Sequence, residues 1–546
     1  MNFTRLLAIV ISVLQFTSRH AAGTKVASFD DLALVFDSTP TDTTSTISIS
    51  SPHLIFPHHL TVQAATAYSI ETTSGHIPAM LSGGDATRLF VLLPRCRLSL
   101  RGLVIAHGRC SEATCEGGVG GAFFVGSGSS LILTSCSLAN NQANYGGAIY
   151  AASATIIVND CTMKSNTAAA QGGAIHAAVS SIVSVTNSTL ATNVANGGGF
   201  IVTLGDSVFT ALDCTVTSNL AYSGGVVHAY DTSNVTMRKC VIHSNSANWG
   251  GAVYAGRDAT FRSIECSMIS NSASSGGVFY TRDDSFVTAT DCTMASNTGE
   301  QGGALFAGGD STVATSDCTM TYNSGYYGGL LYGGGDTTTV IMTDCTMTAN
   351  SAYSGGAFHT FGKATVTASS CTMTSNSAYT GGVCHAYGDS AMTTSHCTMT
   401  SNSAVWAGAV FASDDATFAA IACTMHLNSA AGGGGALFAG SRSSVTVTDC
   451  TLSSNFADSS GGAVFVRGHP AIILTGCILT ANLAFEGGAV FSTDDPTIAI
   501  SGCTMTANSA HGGGAVYAEA ESAFTVTDCE FVQNYADEQV KVTNSP

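Results

Sequence analysis

Charge is what this chain has least of. Lys, Arg, Asp and Glu supply only 10% of its 546 residues, so the Lys/Glu-covered surface of a helical protein is missing. The 18 basic residues face 36 acidic ones, for a net charge of −18. That balance argues against nucleic acid and anionic membranes as partners and leaves cations and basic partners open. Proline is equally sparse, with 8 residues and none between Pro94 and Pro470. Low Pro, 60 Gly and a bias to Thr, Ser and Ala fit closely stacked backbone. Long apolar runs are confined to the start, where a basic Met1–Arg5 precedes apolar Leu6–Phe16 and small Ala21-Ala22-Gly23. This is the three-part pattern of a secretory signal peptide over 1–23, too short for a membrane-spanning stop-transfer helix. No other membrane segment is expected, and Val-Thr-Asn-Ser-Pro at the end is no lipid-anchor tail.

What the chain has in abundance is itself. "GGAVYAGRDATFRSIECSMISNSASS" is followed by "GGVFYTRDDSFVTATDCTMASNTGEQ" and "GGALFAGGDSTVATSDCTMTYNSGYY". Each unit of about 26 residues reads Gly-Gly-Ala-aliphatic-aromatic, a turn, a Thr/Val run, then Cys-Thr-Met-Thr-x-Asn. The Cys column runs from Cys136 through Cys161, Cys214 and Cys318 to Cys529, broken only by Ser188. Five residues after every member stands an Asn, from Asn141 to Asn534. Within each run apolar residues alternate with period 2, Thr and Val favour strands, and Gly pairs break any long helix. Short strands and turns at a fixed period predict one coil per repeat, with coils joined by parallel hydrogen bonds about 4.8 Å apart.

The expected fold is therefore all-β: a single-stranded right-handed parallel β-helix of about 16–17 regular coils. The signal peptide covers 1–23, an N-terminal cap with irregular first coils 24–101, the regular repeats 102–534, and a tail 535–546. An earlier rung is read at Gly102–His107, with His107 in the Asn position. Aliphatic residues, Cys, Met and Asn should face inward, with the Asn column forming a complete buried amide ladder. Aromatic or His residues (Tyr150, His176, His228, Tyr254 and onward to Tyr517), Thr and Asp should face outward.

These motifs resemble the chlamydial polymorphic outer-membrane protein repeats, whose marks are Gly-Gly-Ala-aliphatic and Phe-x-x-Asn. Gly146–Ile149 and Gly172–Ile175 carry the first mark, and Phe531–Asn534 the second. Met268–Asn271 and Leu452–Asn455 carry variants of the second. The resemblance implies a surface-exposed or secreted β-helical passenger, often adhesive. Members of that family end in a membrane barrel of alternating strands, a feature with no counterpart in this sequence.

Chemistry would show as a departure from the repeat, and the departures are few. Lys363 and Arg442 are single substitutions at a turn, and the only sizeable insertion spans 108–119. No catalytic cluster, cofactor or metal set emerges. The leading reading is a non-catalytic secreted or cell-surface protein, expected to be a monomer, with a structural or adhesive role toward extracellular glycans or cell-surface proteins. The alternative is a polysaccharide lyase or hydrolase, which needs clustered carboxylates, calcium ligands or a basic group in a cleft. A further alternative is ice binding by Thr319/Thr321, Thr346/Thr348, Thr372/Thr374 and Thr398/Thr400, consecutive Thr-x-Thr rungs that resemble the threonine arrays of insect antifreeze proteins.

Acidic columns also recur, one eight or nine residues before Cys and one just before it. Asp258, Asp284, Asp310 and Asp336 of the first are calcium candidates, although Asp is also a good turn former. His359 with His385 is an incomplete zinc set. The ladder cysteines are expected as buried free thiols. Cys110–Cys115 is the best disulfide candidate, with Cys96 a competitor. Asn187 and Asn234 begin glycosylation sequons.

Overall fold

The computed structural model describes residues 24–38, 44–73, 78–113, 115–519 and 522–538. The signal peptide expected over 1–23 and most of the tail, 539–546, lie outside the described residues. The rest is a right-handed parallel β-solenoid of about 19 turns, close to 26 residues each and 2% helical. One coil shows how the repeat makes its elements. Val253–Ala255 belongs to a sheet of Gly-Gly-Ala strands, Thr260–Ile264 to a Thr/Val sheet, and Ser267–Ile269 to a Cys-Thr-Met sheet. Ser272–Ser275 adds a short fourth strand before the next Gly pair. Among the described residues the three long sheets hold 18, 20 and 19 strands, all paired in parallel.

Corners are made by single residues. Glu265 (φ 53°) turns the chain into the Cys strand and Ser270 (φ 54°) turns it out again. The acidic column before Cys occupies this left-handed corner in Asp160, Asp213, Asp291, Asp317, Asp344, Asp449 and Asp528. Asp and Ser tolerate it because their side chains bond local backbone. The Gly pair has two reasons. Gly250 is left-handed (φ 65°), and a Cβ on Gly251 would meet the Gly277 carbonyl of the next coil at 2.2 Å.

Side chains facing the lumen are sealed: Val253, Ala255, Phe261, Cys266, Met268 and Asn271 are all buried. The Asn column forms a continuous ladder. Asn297 donates from Nδ2 to Asn323 Oδ1 (3.0 Å) and to the Met268 carbonyl (3.0 Å), while its backbone N–H donates to the same Asn323 Oδ1 (3.0 Å). The pattern repeats from Asn141 to Asn534. The Cys column plays a parallel role. The Cys240 N–H donates to Cys266 Sγ (3.4 Å), and Cys266 Sγ–H donates back to the Ile264 carbonyl (3.3 Å). Ser188 fills the gap with the same two bonds, accepting from Cys161 N–H (3.0 Å) and donating to the Thr186 carbonyl (2.8 Å). The described free thiols are buried except Cys529, which is half-buried.

One assignment is corrected. His107 does not occupy the Asn position of its coil. Pairing of Ala106 with Ala139 sets His107 beside Asn140, both left-handed (φ 55°). Gly108 stands in the Asn column, where it has no side chain and donates its N–H to Asn141 Oδ1 (2.9 Å). His107 followed a plausible strand and was displaced by one residue.

Coiling starts before 102. Thr44–Ile49, Ala67–Thr72 and Arg97–Arg101 already pair in register. A helix, Phe29–Ser38, covers this end of the lumen with Phe29, Leu32 and Phe36 buried; Phe36 stacks on Tyr68 at 4.2 Å. Its start is a capping box, in which Asp31 N–H donates to Ser28 Oγ (3.1 Å) and Ser28 N–H to Asp31 Oδ2 (3.0 Å). No helix among the described residues is long and apolar enough to cross a membrane.

Candidate functional site

The outward rings of the Gly-Gly-Ala strands stack coil on coil in two long runs. Tyr254, Tyr280, Phe306, Tyr332 and His359 follow one another at 4.4–5.4 Å with planes within 13°. A second run goes from Phe411 through Phe438, Phe465 and Phe491 to Tyr517 at 4.5–5.5 Å. The column points away from the lumen, as alternation requires, but it is not an open surface. His176, Tyr254, His359, Phe438, Phe465 and Phe491 are buried, and in several coils a large residue before the Gly pair folds over the ladder. Trp249 lies against Tyr254 and Tyr280, Tyr327 against Tyr332 and His359, and Trp406 against Phe438 and Phe465. Ring faces are spent on each other, which leaves no face in these runs open for a sugar to stack on.

The ladder is interrupted at Val202, which carries no ring between His176 and His228, and again at His385. His385 stands edge-on to His359 (86°) and to Phe411 (78°). At the same level the covering residue shrinks from Tyr327 to Ser354 and Thr380, before Trp406 closes over again. The result is a cleft of about 470 Å³. Its floor is Tyr332, His359 and His385 with the hydroxyls of Ser354 and Thr380. One rim is Tyr353 and Tyr379, stacked at 5.0 Å and continued by Tyr326 at 4.9 Å. The other is Phe361 and Tyr387, at 5.8 Å. All five rim rings are exposed.

Ser354 Oγ lies within hydrogen-bond distance of both His359 Nδ1 (3.0 Å) and His385 Nδ1, and Thr380 Oγ1 also reaches His385 Nδ1 (3.0 Å). Ser354 has one proton, so it can donate to only one of these rings and must accept from the other. At least one of the two neutral rings therefore carries its proton on Nδ1. His385 Nε2 is buried with no partner. Burial pushes His385 down to about 4; His359 falls to about 3, by burial first and then by the neighbouring His385. Both are neutral at pH 7. No carboxylate, lysine or arginine lines the cleft.

Sequence reasoning found the two histidines but not the rims. The missed signal is an aromatic residue two places before the Gly pair in three successive coils, Tyr326, Tyr353 and Tyr379. The same column elsewhere holds Asn196, Asn248 and Ser274, with isolated aromatics at Tyr222 and Phe485.

Asp258, Asp284, Asp310 and Asp336 are exposed, and among the described residues no group of three or more His, Cys, Asp or Glu is placed to hold a metal. Asp258, Asp284 and Asp310 are left-handed turn residues (φ 58–63°). Asp336 falls one place early, since Thr337 takes the turn position and its hydroxyl donates to Asp310. Thr232 does the same to Asp206 (2.5 Å), and Arg442 binds Asp415 through two nitrogens (2.8 and 2.6 Å). The column is thus a turn ladder with donors spaced along it. The four Thr-x-Thr rungs are in register on the outer Cys-Thr-Met face. The sulfurs of Cys110 and Cys115 are bonded, with Cα atoms 5.6 Å apart. Asn187 and Asn234 are exposed, and Asn187 Nδ2 donates to Asp160 Oδ1 (2.6 Å).

The family described as the right-handed beta helix region matches residues 224–404 and 381–545, more than half of the chain. The chain belongs to the right-handed β-helix family. The Chlamydia polymorphic membrane protein repeat matches 135–152 and 160–178, the stretches that carry the two Gly-Gly-Ala-Ile motifs. No curated protein matches the sequence. Solved structures similar to this β-helix include a PL6 family alginate lyase, AlyGC, at 7% identity over 93% of this chain and 100% of that one, with a TM-score of 0.25. A point mutant of that lyase aligns at 9% identity over the same shares with a TM-score of 0.26. The A-module of the Azotobacter vinelandii mannuronan C-5 epimerase AlgE6 aligns at 10% identity over 86% and 91%, with a TM-score of 0.17. Scores this low carry no argument about the present β-helix.

Proposed function

We propose that this β-helix is a non-catalytic protein of the cell surface or extracellular space that holds an extracellular glycan in the cleft over His359 and His385. Placement at the surface is supported by the polymorphic membrane protein repeats. Ligand binding is supported by one observation above all. Where the cover is small at Ser354 and Thr380, between Tyr327 and Trp406, aromatic rims rise on both sides of a polar floor. Such concave sites with apolar walls and few convergent polar groups are where ligands bind. A glycan meets this floor with hydroxyls, against Ser354, Thr380 and the unpartnered His385 Nε2, and meets the ring edges with C–H groups. Binding is favoured over catalysis because the lining has no carboxylate pair for hydrolysis and no cation to neutralise a uronate.

The test is a glycan-binding screen on the full chain with a polysaccharide-cleavage assay beside it. Tyr353→Ala and Tyr379→Ala should weaken any hit about tenfold or more, on the scale of buried aromatic anchors. Hits that survive both changes would remove the cleft from the reading. Polymer cleavage that is lost in His385→Ala would overturn the non-catalytic assignment.

A further inference from the structure

Far from the cleft, the first coils carry a second hollow of about 290 Å³ at the corner that leads into the Thr/Val sheet. Its lining includes Thr44, Thr66, Arg95, Arg97, Gly128 and Ser130. We propose that this hollow is an oxyanion site, built to hold one sulfate, phosphate or carboxylate group between Arg95 and Arg97.

Register explains the space. Arg97 stands beside Ser130 on one side and Ala67 on the other, and Ala67 beside Thr44. Arg95 lies alongside Gly128, where a Cβ would sit 3.4 Å from Arg95 Cγ. Two positions without bulk, Ala67 and Gly128, thus open room around two guanidinium groups.

The donors in this hollow are unused. Neither Arg95 nor Arg97 has an ion-pair partner among the described residues, in contrast to the turn-column Arg442, which is paired with Asp415. Ser130 Oγ is buried with no hydrogen-bond partner, and an unmet buried hydroxyl is costly unless something fills it. Thr66 Oγ1 has already given its proton to the Gln63 carbonyl (2.6 Å), whereas the Ser130 hydroxyl is free to donate. Two forked cations and one hydroxyl donor match the geometry of a compact oxyanion.

The setting adds selectivity. Arg95 (φ 66°) occupies the left-handed turn that Asp206, Asp258, Asp284 and Asp310 fill in later coils. The turn column thus carries a cation at this end, as it does further along at Lys363 and Arg442. Asp206 is four coils away, roughly 19 Å at ~4.8 Å per coil, beyond the ~8 Å over which exposed charges act at physiological salt. Glu71 is matched with Arg101 further along the strand. A single anionic group is welcome, while a long polyanion running down the column would meet aspartates.

The experiment is calorimetric titration of the full chain with inorganic sulfate, inorganic phosphate, a sulfated disaccharide and its unsulfated counterpart. We expect saturable one-to-one binding of at least one anion, weakening with added salt, and none of the neutral sugar at this site. Arg97→Gln should bind about tenfold more weakly, Ser130→Ala should also weaken binding, and the distant Arg282→Gln should bind like the parent. All variants should keep the parent melting curve. Tighter binding of the disaccharide than of inorganic sulfate assigns the anion to a saccharide; equal binding assigns it to a free ion. No saturable binding of any anion, unchanged binding in Arg97→Gln, or equal loss in Arg282→Gln would overturn the site. The inference does not rest on the cleft, and Tyr353→Ala should leave anion binding untouched.

Discussion

Replacing Asn297 by alanine tests the principle on which the whole rod depends. Asn297 is fully buried and takes part in four side-chain hydrogen bonds. Its Oδ1 accepts from the Asn271 backbone N–H (2.9 Å) and from Asn271 Nδ2 (3.2 Å); its Nδ2 donates to Asn323 Oδ1 and the Met268 carbonyl (both 3.0 Å). Alanine leaves the buried Asn271 N–H without an acceptor. Asn271 Nδ2 keeps the Ile242 carbonyl (2.9 Å) and Asn323 Oδ1 keeps the Asn297 N–H, so these groups lose one bond but not their last. One orphaned donor at ~1–3 kcal/mol and three lost bonds at ~1 kcal/mol each give a cost of about 4–6 kcal/mol. Because each coil contacts only its neighbours, the loss should be local. Native-state hydrogen exchange should show faster exchange in the coils around 240–350 and little change near 150 or 480. Asn297→Asp should cost more at neutral pH, since a carboxylate faces the Met268 and Asn323 oxygens, and should recover partly in acid as it regains a proton. Asn534→Ala, at the half-buried end of the ladder, should cost clearly less. A loss below about 1 kcal/mol for Asn297→Ala, or one spread evenly along the chain, would refute the ladder as a chain of obligatory local bonds.

Other outcomes follow from the same geometry. Burial pushes His176, His228 and His385 down to about 4, and His359 to about 3. The unfolded chain takes up these protons near pH 6.5 and the folded chain refuses them, so this stability is full above about pH 6.5 and is lost as pH falls toward about 4, by up to ~3 kcal/mol per ring. Denaturant melts at pH 7 and pH 5 should show it, and His228→Phe, borrowing the ring used at Phe306, should flatten the slope. Thiol labelling of the native protein should modify Cys529 and spare the buried ladder until denaturant is added. Cys266→Ser should be tolerated, as Ser188 already makes both ladder bonds, whereas Cys266→Val should be more harmful because it leaves the Cys240 N–H unmet. Non-reducing peptide mapping should recover Cys110 and Cys115 as one linked pair.

The legible part of this protein is the part that faces inward. Cys, Met and Asn recur because each must meet its own copy one coil on, and a fixed spacing is the direct trace of that demand. The acidic residues before Cys were legible as turn formers for a related reason, since each coil needs a left-handed corner there. His107 was misplaced because its coil has no Asn to mark the register; only strand pairing reveals that Gly108 holds the slot. The cleft was hidden for a deeper reason. Its floor uses the ladder column, where His is an ordinary variant of Tyr; one rim uses positions two places before the Gly pair and the other positions two places after the ladder ring, where no coil needs any particular residue. A site on a solenoid therefore does not interrupt the repeat. It is a correlated choice at free positions in adjacent coils: Tyr326, Tyr353 and Tyr379 as a rim, with Ser354 and Thr380 shrinking between Tyr327 and Trp406. The arginine hollow obeys the same logic, for Arg95 sits in a turn column that tolerates Asp, Gly, Ser or Thr and, at Lys363 and Arg442, other cations, and only its neighbours Ala67, Arg97 and Gly128 make the choice consequential.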